Sequence, residues 1–277
     1  MAIKLIALDL DGTLLNSEKK VSQANKEAIK WAVEQNIDVA FATGRSIGII
    51  PPDAFQINDI RYMITSNGAV ISDRRNGTLC REHIPSTAVD RIMDIISSKD
   101  YMIEAFVNGM SHTQRKFNNE INEALSRGEN PYYYVYHRES EDDIAGYIER
   151  NHEYLEMLNI NFSKGEDPRD KLILEEAIRK IPGLDVTSAL PFDIEIASAK
   201  AGKGNALAKL ANMLGLKQDE IVSMGDSLND MSMPDVSICV AMGNARDEVK
   251  ERADFVTREN TDDGVAHAIY EIVEKNR

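Results

Sequence analysis

Ile3-Lys-Leu-Ile-Ala-Leu-Asp-Leu-Asp-Gly-Thr13 decides how this chain is read. Ile3–Leu8 is apolar apart from Lys4, and a short continuous apolar run of this length is what a strand buried on both faces requires. The run stops at Asp9, Asp11 and Gly12, a polar cluster that marks the strand's C-terminal edge. In extended backbone Asp9 and Asp11 would face the same side; a turn after Asp9 would give them separate roles.

Downstream, Ser22 precedes the apolar stripe Ala28, Ile29, Ala32 and Val33, which predicts a capped helix over roughly 23–35. Strands are predicted over 37–42, ending in Thr43-Gly44-Arg45, and over 62–65, ending in Ser66-Asn67-Gly68. Strand, helix, strand and crossover open a parallel α/β unit. From about 83 to 190 the chain alternates strands and helices with few chemical residues. Ser86 is expected to cap a helix with Val89, Ile92, Met93 and Ile96 on one face. Strands near 102–107 and 155–162 and a helix near 169–180 follow. Pro131–Tyr136 holds four of the nine tyrosines and reads as strand or core packing. After Phe192–Ala197 the first pattern resumes. A helix starts at Lys203, strands cover 221–224 and 236–241, and a helix near 263–274 buries Val265, Ala268, Ile269, Ile272 and Val273. The expected architecture is α/β: a Rossmann-like parallel-sheet core of residues 1–82 and 191–277, with an α/β cap inserted at 83–190.

Length and composition fit this plan. The 277 residues suffice for one large domain or two modest ones, and 43% hydrophobic with 28% charged residues is ordinary globular usage. The formal charge of −14 repels nucleic-acid phosphate and anionic membranes, so neither partner is expected. Cys80 and Cys239 cannot make a disulfide framework and favour a reducing, cytoplasmic location. The opening apolar stretch, interrupted by Lys4 and closed by Asp9, is neither signal peptide nor membrane span.

Four segments carry the chemistry: Asp9–Thr13, Thr43-Gly44-Arg45, Gly202-Lys203-Gly204 and Gly225–Asp230. Each falls at a predicted strand end or helix start, the edge where open parallel sheets bind ligands. Asp9 and Asp226 would offer hard oxygens suited to Mg²⁺. Asp230, expected on the first turn of the next helix, would hold a metal-bound water. Lys203 supplies a compact positive charge for a phosphate or for Asp9. Thr43 supplies a hydroxyl, and Gly12 and Gly44 let backbone N–H groups approach an anion. Singly, each segment also reads as turn chemistry, a helix entry or helix-dipole preference. Together they describe a phosphoryl-transfer site.

The ordered set Asp9-Leu-Asp-Gly-Thr13, Ala42-Thr-Gly-Arg45, Lys203 and Gly225-Asp-Ser-Leu-Asn-Asp230 resembles the haloacid dehalogenase superfamily of phosphatases. Within it, the chain is similar to the Cof-type hydrolases, which carry a large α/β cap between the second and third motifs. Asn67-Gly-Ala69, Val240–Ala245, Val256-Thr257 and Asp263–Ala266 add to the likeness. The resemblance implies that Asp9 is the nucleophile, forming an aspartyl-phosphate, and that Asp11 is first general acid and then general base. It implies that Thr43 and Lys203 hold the phosphoryl oxygens, with Leu10, Gly12 and Gly44 in the surrounding loops, Asn229 orienting them, and Arg45 either reaching substrate or forming a surface salt bridge. Asp9, the main-chain carbonyl of Asp11 and Asp226 would bind Mg²⁺, with Asp230 beside them.

The expected activity is Mg²⁺-dependent hydrolysis of a small phosphorylated metabolite such as a sugar phosphate. The cap would exclude water and obstruct folded protein substrates. A phosphosugar mutase, passing the phosphoryl group from Asp9 to a second substrate hydroxyl, uses the same residues. A non-catalytic metabolite-binding regulator is opposed by the intact Asp9, Asp11, Lys203 and Asp226. A P-loop is excluded, because Ala197 replaces its first glycine and Gly204 follows Lys203. The acidic stretch Glu139–Asp143 reads as solvated charge.

Overall fold

The structure, a computed structural model, describes residues 2–97, 99–127, 138–162, 167–188 and 191–275; the tyrosine-rich Pro131–Tyr136 lies outside them. The chain forms two compact units, Met1–Gly44, Pro51–Arg81 and Gly202–Arg277 in one, Arg45–Ile50 and Glu82–Ala201 in the other. In chain order the strands are β1 (Leu5–Leu8), β2 (Asp38–Ala42), β3 (Ile60–Thr65), β4 (Val70–Asp73) and β5 (Gly77–Arg81) in the first unit. The second unit holds β6 (Met102–Val107), β7 (Met110–Gln114), β8 (Glu139–Glu141), β9 (Leu155–Asn161), β10 (Leu184–Thr187) and β11 (Asp193–Ser198). The chain then returns to the first with β12 (Ile221–Gly225), β13 (Ile238–Ala241) and β14 (Phe255–Val256).

The first sheet runs β14-β13-β12-β1-β2-β3-β4-β5. It is parallel from β14 to β3, and β4 and β5 add an antiparallel edge. All of β1 is buried, which is why its sequence is an unbroken apolar run. Leu5 and Ala7 share a core cluster with Ala40, Ala42 and Ile64 and with Ala206, Leu207 and Leu210 of the helix Lys203–Leu214. Ile6 and Leu8 face the opposite side, as strand alternation demands. The helix Gln23–Glu34 is capped by Ser22, whose side chain accepts the Asn25 N–H. It packs on the closing helix Gly264–Lys275, where Trp31 and Tyr270 rings lie 5.0 Å apart and Asn25 Oδ1 accepts the Ala266 N–H.

The second sheet runs β10-β11-β9-β6-β7-β8 and is antiparallel except for the β7–β8 pair. One face, with Ile103, Ala105, Leu158, Ile160, Ile194 and Ile196, packs on the helices Ser86–Ile96 and Pro168–Arg179. The register sets Glu104, Asn159 and Glu195 side by side on the other face.

Two local expectations are corrected. Residues 191–201 were expected in the core, yet β11 is hydrogen-bonded between β9 and β10, and the chain re-enters the first unit at Gly202. The alternation in Asp-Ile-Glu-Ile-Ala-Ser gives this strand one apolar and one polar face, and all six residues are buried. Ser86 is the first helical residue rather than the cap; Pro85 takes the N-cap position with no side-chain bond. The β4–β5 hairpin carries weak alternation and was not predicted. Within Glu139–Asp143, Asp142 and Asp143 are exposed, as solvated charge implies, while the stretch also holds β8, Asp143 caps the helix Ile144–Arg150 and Glu141 bonds His112. No helix among the described residues is long and apolar enough to cross a membrane.

Candidate active site

The polar segments gather at the C-terminal ends of β1, β12 and β2. Asp9 follows β1 and donates its N–H to Met224 O of β12 at 3.0 Å, which ties the two strand ends together. The chain then turns, with Leu14 N–H on Asp9 O at 3.2 Å and Leu15 N–H on Leu10 O at 2.8 Å. Leu10 therefore goes into the core, while Asp11 stays half-buried at the rim. Gly12 has φ +81°, and a Cβ there would lie 2.4 Å from Asp226 Oδ2. Only glycine lets this turn close on the end of β12. Asn244 Nδ2 fixes it from outside, donating to Gly12 O at 2.8 Å.

Beyond β12, Asp226 accepts from Thr13 Oγ1 and from Ser227 Oγ, each at 3.1 Å. Asp230 sits not on the first turn of a helix but at the end of a single 3₁₀ turn, Leu228–Asp230. Its Oδ2 accepts the N–H groups of Asp226 (2.9 Å) and Ser227 (3.0 Å), which are the donors that turn leaves over. Its Oδ1 accepts from Lys203. Lys203 is the first residue of its helix, is fully buried, and donates from Nζ to Asp9 Oδ1 and Asp230 Oδ1 at 2.7 Å each. Gly204 N–H on Ser232 Oγ at 2.9 Å anchors the helix start.

Thr43, also buried, follows β2; its N–H donates to Ile64 O and its carbonyl accepts the Asn67 N–H. Asn67 holds a left-handed φ of 50°, and its side-chain oxygen accepts from Asn229 Nδ2 at 3.2 Å, joining the ends of β3 and β12. Gly44 closes the first segment of the first unit. Arg45 belongs to the second unit and is buried, with Nη1 donating to Ile49 O at 2.9 Å, so it is not a surface residue. Asp11 is met by Lys19 Nζ at 2.7 Å. Asn67 and Asn244 entered the sequence reading only as parts of the likeness, with no role given, and Ser232 did not enter it, because single polar residues in loops leave no periodic signal.

Asp9, Asp226 and Asp230 each offer an oxygen within 4.8 Å of the others. Among the described residues three carboxylates meet one ammonium here, so in the ionised state negative charge exceeds positive by two. Burial pushes Asp9 well above the carboxylate range; Lys203 opposes the shift, and Asp230 and Asp226 reinforce it. Burial and then Asp230 push Asp226 up to about 7. Burial alone would lower Lys203, but Asp230 and Asp9 outweigh it and hold its ammonium charged. A divalent cation among these hard oxygens would remove the charge surplus, so the residues fit one.

A parallel sheet with an inserted second sheet, and an acidic cluster with a buried lysine at its strand ends, define a phosphoryl-transfer architecture. Residues 6–269 match the haloacid dehalogenase-like hydrolases, and the chain belongs to that family as a phosphatase. It is similar to 5-amino-6-(5-phospho-D-ribitylamino)uracil phosphatase YcsE of Bacillus subtilis, 33% identical over 268 residues, 96% of this chain and 94% of that one. It is also similar to the phosphatase of the same name, YwtE, from the same organism, 33% identical with 98% of each chain covered. A solved haloacid dehalogenase-like hydrolase from B. subtilis superposes with a TM-score of 0.79 at 28% identity, covering 98% of this chain and 100% of that chain.

Proposed function

We propose that the chain hydrolyses a small phosphorylated metabolite, a sugar phosphate or similar ester, through an aspartyl-phosphate on Asp9 with Mg²⁺ as cofactor. The observation that carries this is Lys203 bridging Asp9 and Asp230 beside Asp226 at adjoining strand ends. Asp9, Asp226 and the main-chain carbonyl of Asp11 would hold the ion, with Asp230 beside them. Bound there, Mg²⁺ supplies positive charge next to the phosphoryl oxygens. Asp9 attacks phosphorus as the substrate's alkoxide leaves, and Asp11 gives that oxygen a proton. Asp11 then takes a proton from the water that attacks phosphorus and releases phosphate from Asp9. Lys203 and Thr43 orient the phosphoryl oxygens, and Asn229 is held by Asn67 to do the same. The ribityl-phosphate substrate named for both B. subtilis relatives supports a polyol phosphate as substrate class. Selectivity would reside in the second unit. The free Cys80 and Cys239 suit a reducing compartment, and we place the enzyme in the cytoplasm.

The test is hydrolysis of p-nitrophenyl phosphate and of ribitol 5-phosphate, with Mg²⁺ and with chelator. Turnover should need Mg²⁺ and vanish in Asp9→Asn. Activity that survives Asp9→Asn would remove Asp9 as nucleophile.

A further inference from the structure

Lys19 sits in the loop that follows the Asp9–Thr13 turn, and its backbone is costly. Its φ is 57°, a left-handed conformation that glycine or asparagine adopts with less strain than lysine. The turn that imposes this is well built. Asn16 O accepts the Lys19 N–H, Asn16 N–H donates to Lys20 O, and Asn16 Oδ1 accepts the N–H groups of Glu18 and Lys20, all at 3.0 Å. The result is that the Lys19 side chain folds back. It is 20% exposed, against 71% for Glu18 and 67% for Lys20, and its Nζ lies 2.7 Å from Asp11 Oδ1. A short bridge between Asp11 and Leu15 keeps the two arms of the loop together. A lysine placed where the backbone favours glycine, with its ammonium brought onto one oxygen of Asp11, has a use for the side chain rather than for the turn.

We infer that Lys19 is a positioning residue for Asp11: its ammonium, held at 2.7 Å from Oδ1, restrains the carboxyl group for proton transfer at the substrate oxygen. This rests on the reading of Asp11 as the general acid–base. Group orientation of this kind contributes through kcat, because it matters only as the proton moves, and hardly through ground-state binding.

Lys19→Gly separates this role from a structural one. Glycine relieves the left-handed strain, so the variant should melt at or above the wild-type temperature. Its kcat on p-nitrophenyl phosphate should nevertheless fall about tenfold, with KM changed less than about twofold. Lys19→Arg, which keeps a cation within reach, should recover most of the loss. In Asp11→Asn the carboxylate is gone, and adding Lys19→Gly should then lower kcat no further. Unchanged kcat in Lys19→Gly, or equal loss of kcat on either Asp11 background, overturns the inference. The phosphatase reading is tested apart from this, by wild type against Asp9→Asn. Should neither turn over, the crystal structure of Lys19→Gly decides: a displaced Asp11 carboxylate supports the positioning role, and an unmoved one ends it.

Discussion

Each unit buries an ion pair, and the two pairs differ in their surroundings. In the first, Lys203 lies between Asp9 and Asp230 at the ends of parallel strands, with Asp226 close by. In the second, Glu104 of β6 accepts from Arg138 Nε at 2.8 Å and from Ser111 Oγ, in the middle of a sheet face. On that face Arg138 meets Glu104, with buried Glu195 in register beyond Asn159, whereas at Lys203 three carboxylates offer oxygens within 4.8 Å of one another. Burying charge is expensive in both places, and the three converging carboxylates beside Lys203 are the ones a divalent cation would offset. The proposed site is the cluster whose carboxylates converge at strand ends, and the Arg138–Glu104 pair within a sheet face is the structural counterpart to set against it.

The largest effect expected from this contrast is on catalysis. Lys203→Met should lower kcat by about 10³-fold or more, since it removes the cation that would face the phosphoryl oxygens. Steady-state kinetics with saturating Mg²⁺ measures it. A loss below tenfold would make Lys203 as architectural as Arg138.

Arg138→Met is the converse experiment. It leaves Glu104 buried without its guanidinium, a change that costs about 3–5 kcal/mol. Urea unfolding should show that loss, while kcat on p-nitrophenyl phosphate stays within a few-fold of wild type. A large fall in kcat at unchanged stability would erase the distinction drawn here.

Acid surplus also predicts a pH dependence. The Asp226 carboxyl is raised in the folded protein to about 7, from about 3.8. A carboxyl raised on folding adds stability that is full below its unfolded value and is lost as pH rises through 7. Without a cation, therefore, stability from this group should decline between about pH 4 and 7. At the proposed site Mg²⁺ would displace the same proton, so below pH 7 its apparent affinity should fall by up to about tenfold per pH unit. Titration calorimetry at pH 6 and 8 tests this; equal affinities would show that Asp226 does not bind the ion through its carboxylate.

How much of this was legible in the sequence also divides by unit. β1 and β12 announce themselves because a strand buried on both faces is largely apolar, Ser223 being the polar exception in β12, and the aspartates that end them stand out. β11 was misplaced because six residues of extended chain do not say which sheet they will join, although its alternation was a clue. The four motif segments were found, but the distances between them come from pairings such as Asp9 N–H on Met224 O, which join residues far apart in the chain. Lys19 escaped notice for another reason. Its backbone angle is dictated by Asn16, and no pattern of hydrophobicity records that.

The smallest effect compares two serines that the sequence treats alike. Ser22 and Ser86 both precede an amphipathic stripe, and both were expected as N-caps. Ser22 Oγ does accept the Asn25 N–H, at 3.1 Å. Ser86 instead lies inside its helix, behind Pro85, whose extended backbone makes the entry and whose ring leaves no N–H to satisfy. Removing a working cap costs about 1 kcal/mol, whereas alanine at the first helical position, with no cap bond to lose, changes little. Ser22→Ala should therefore lower the urea midpoint measurably, and Ser86→Ala should leave it unchanged or raise it slightly. Equal losses would mean that Ser86 Oγ reaches a backbone donor in solution, and that both helices start as their sequences first suggest.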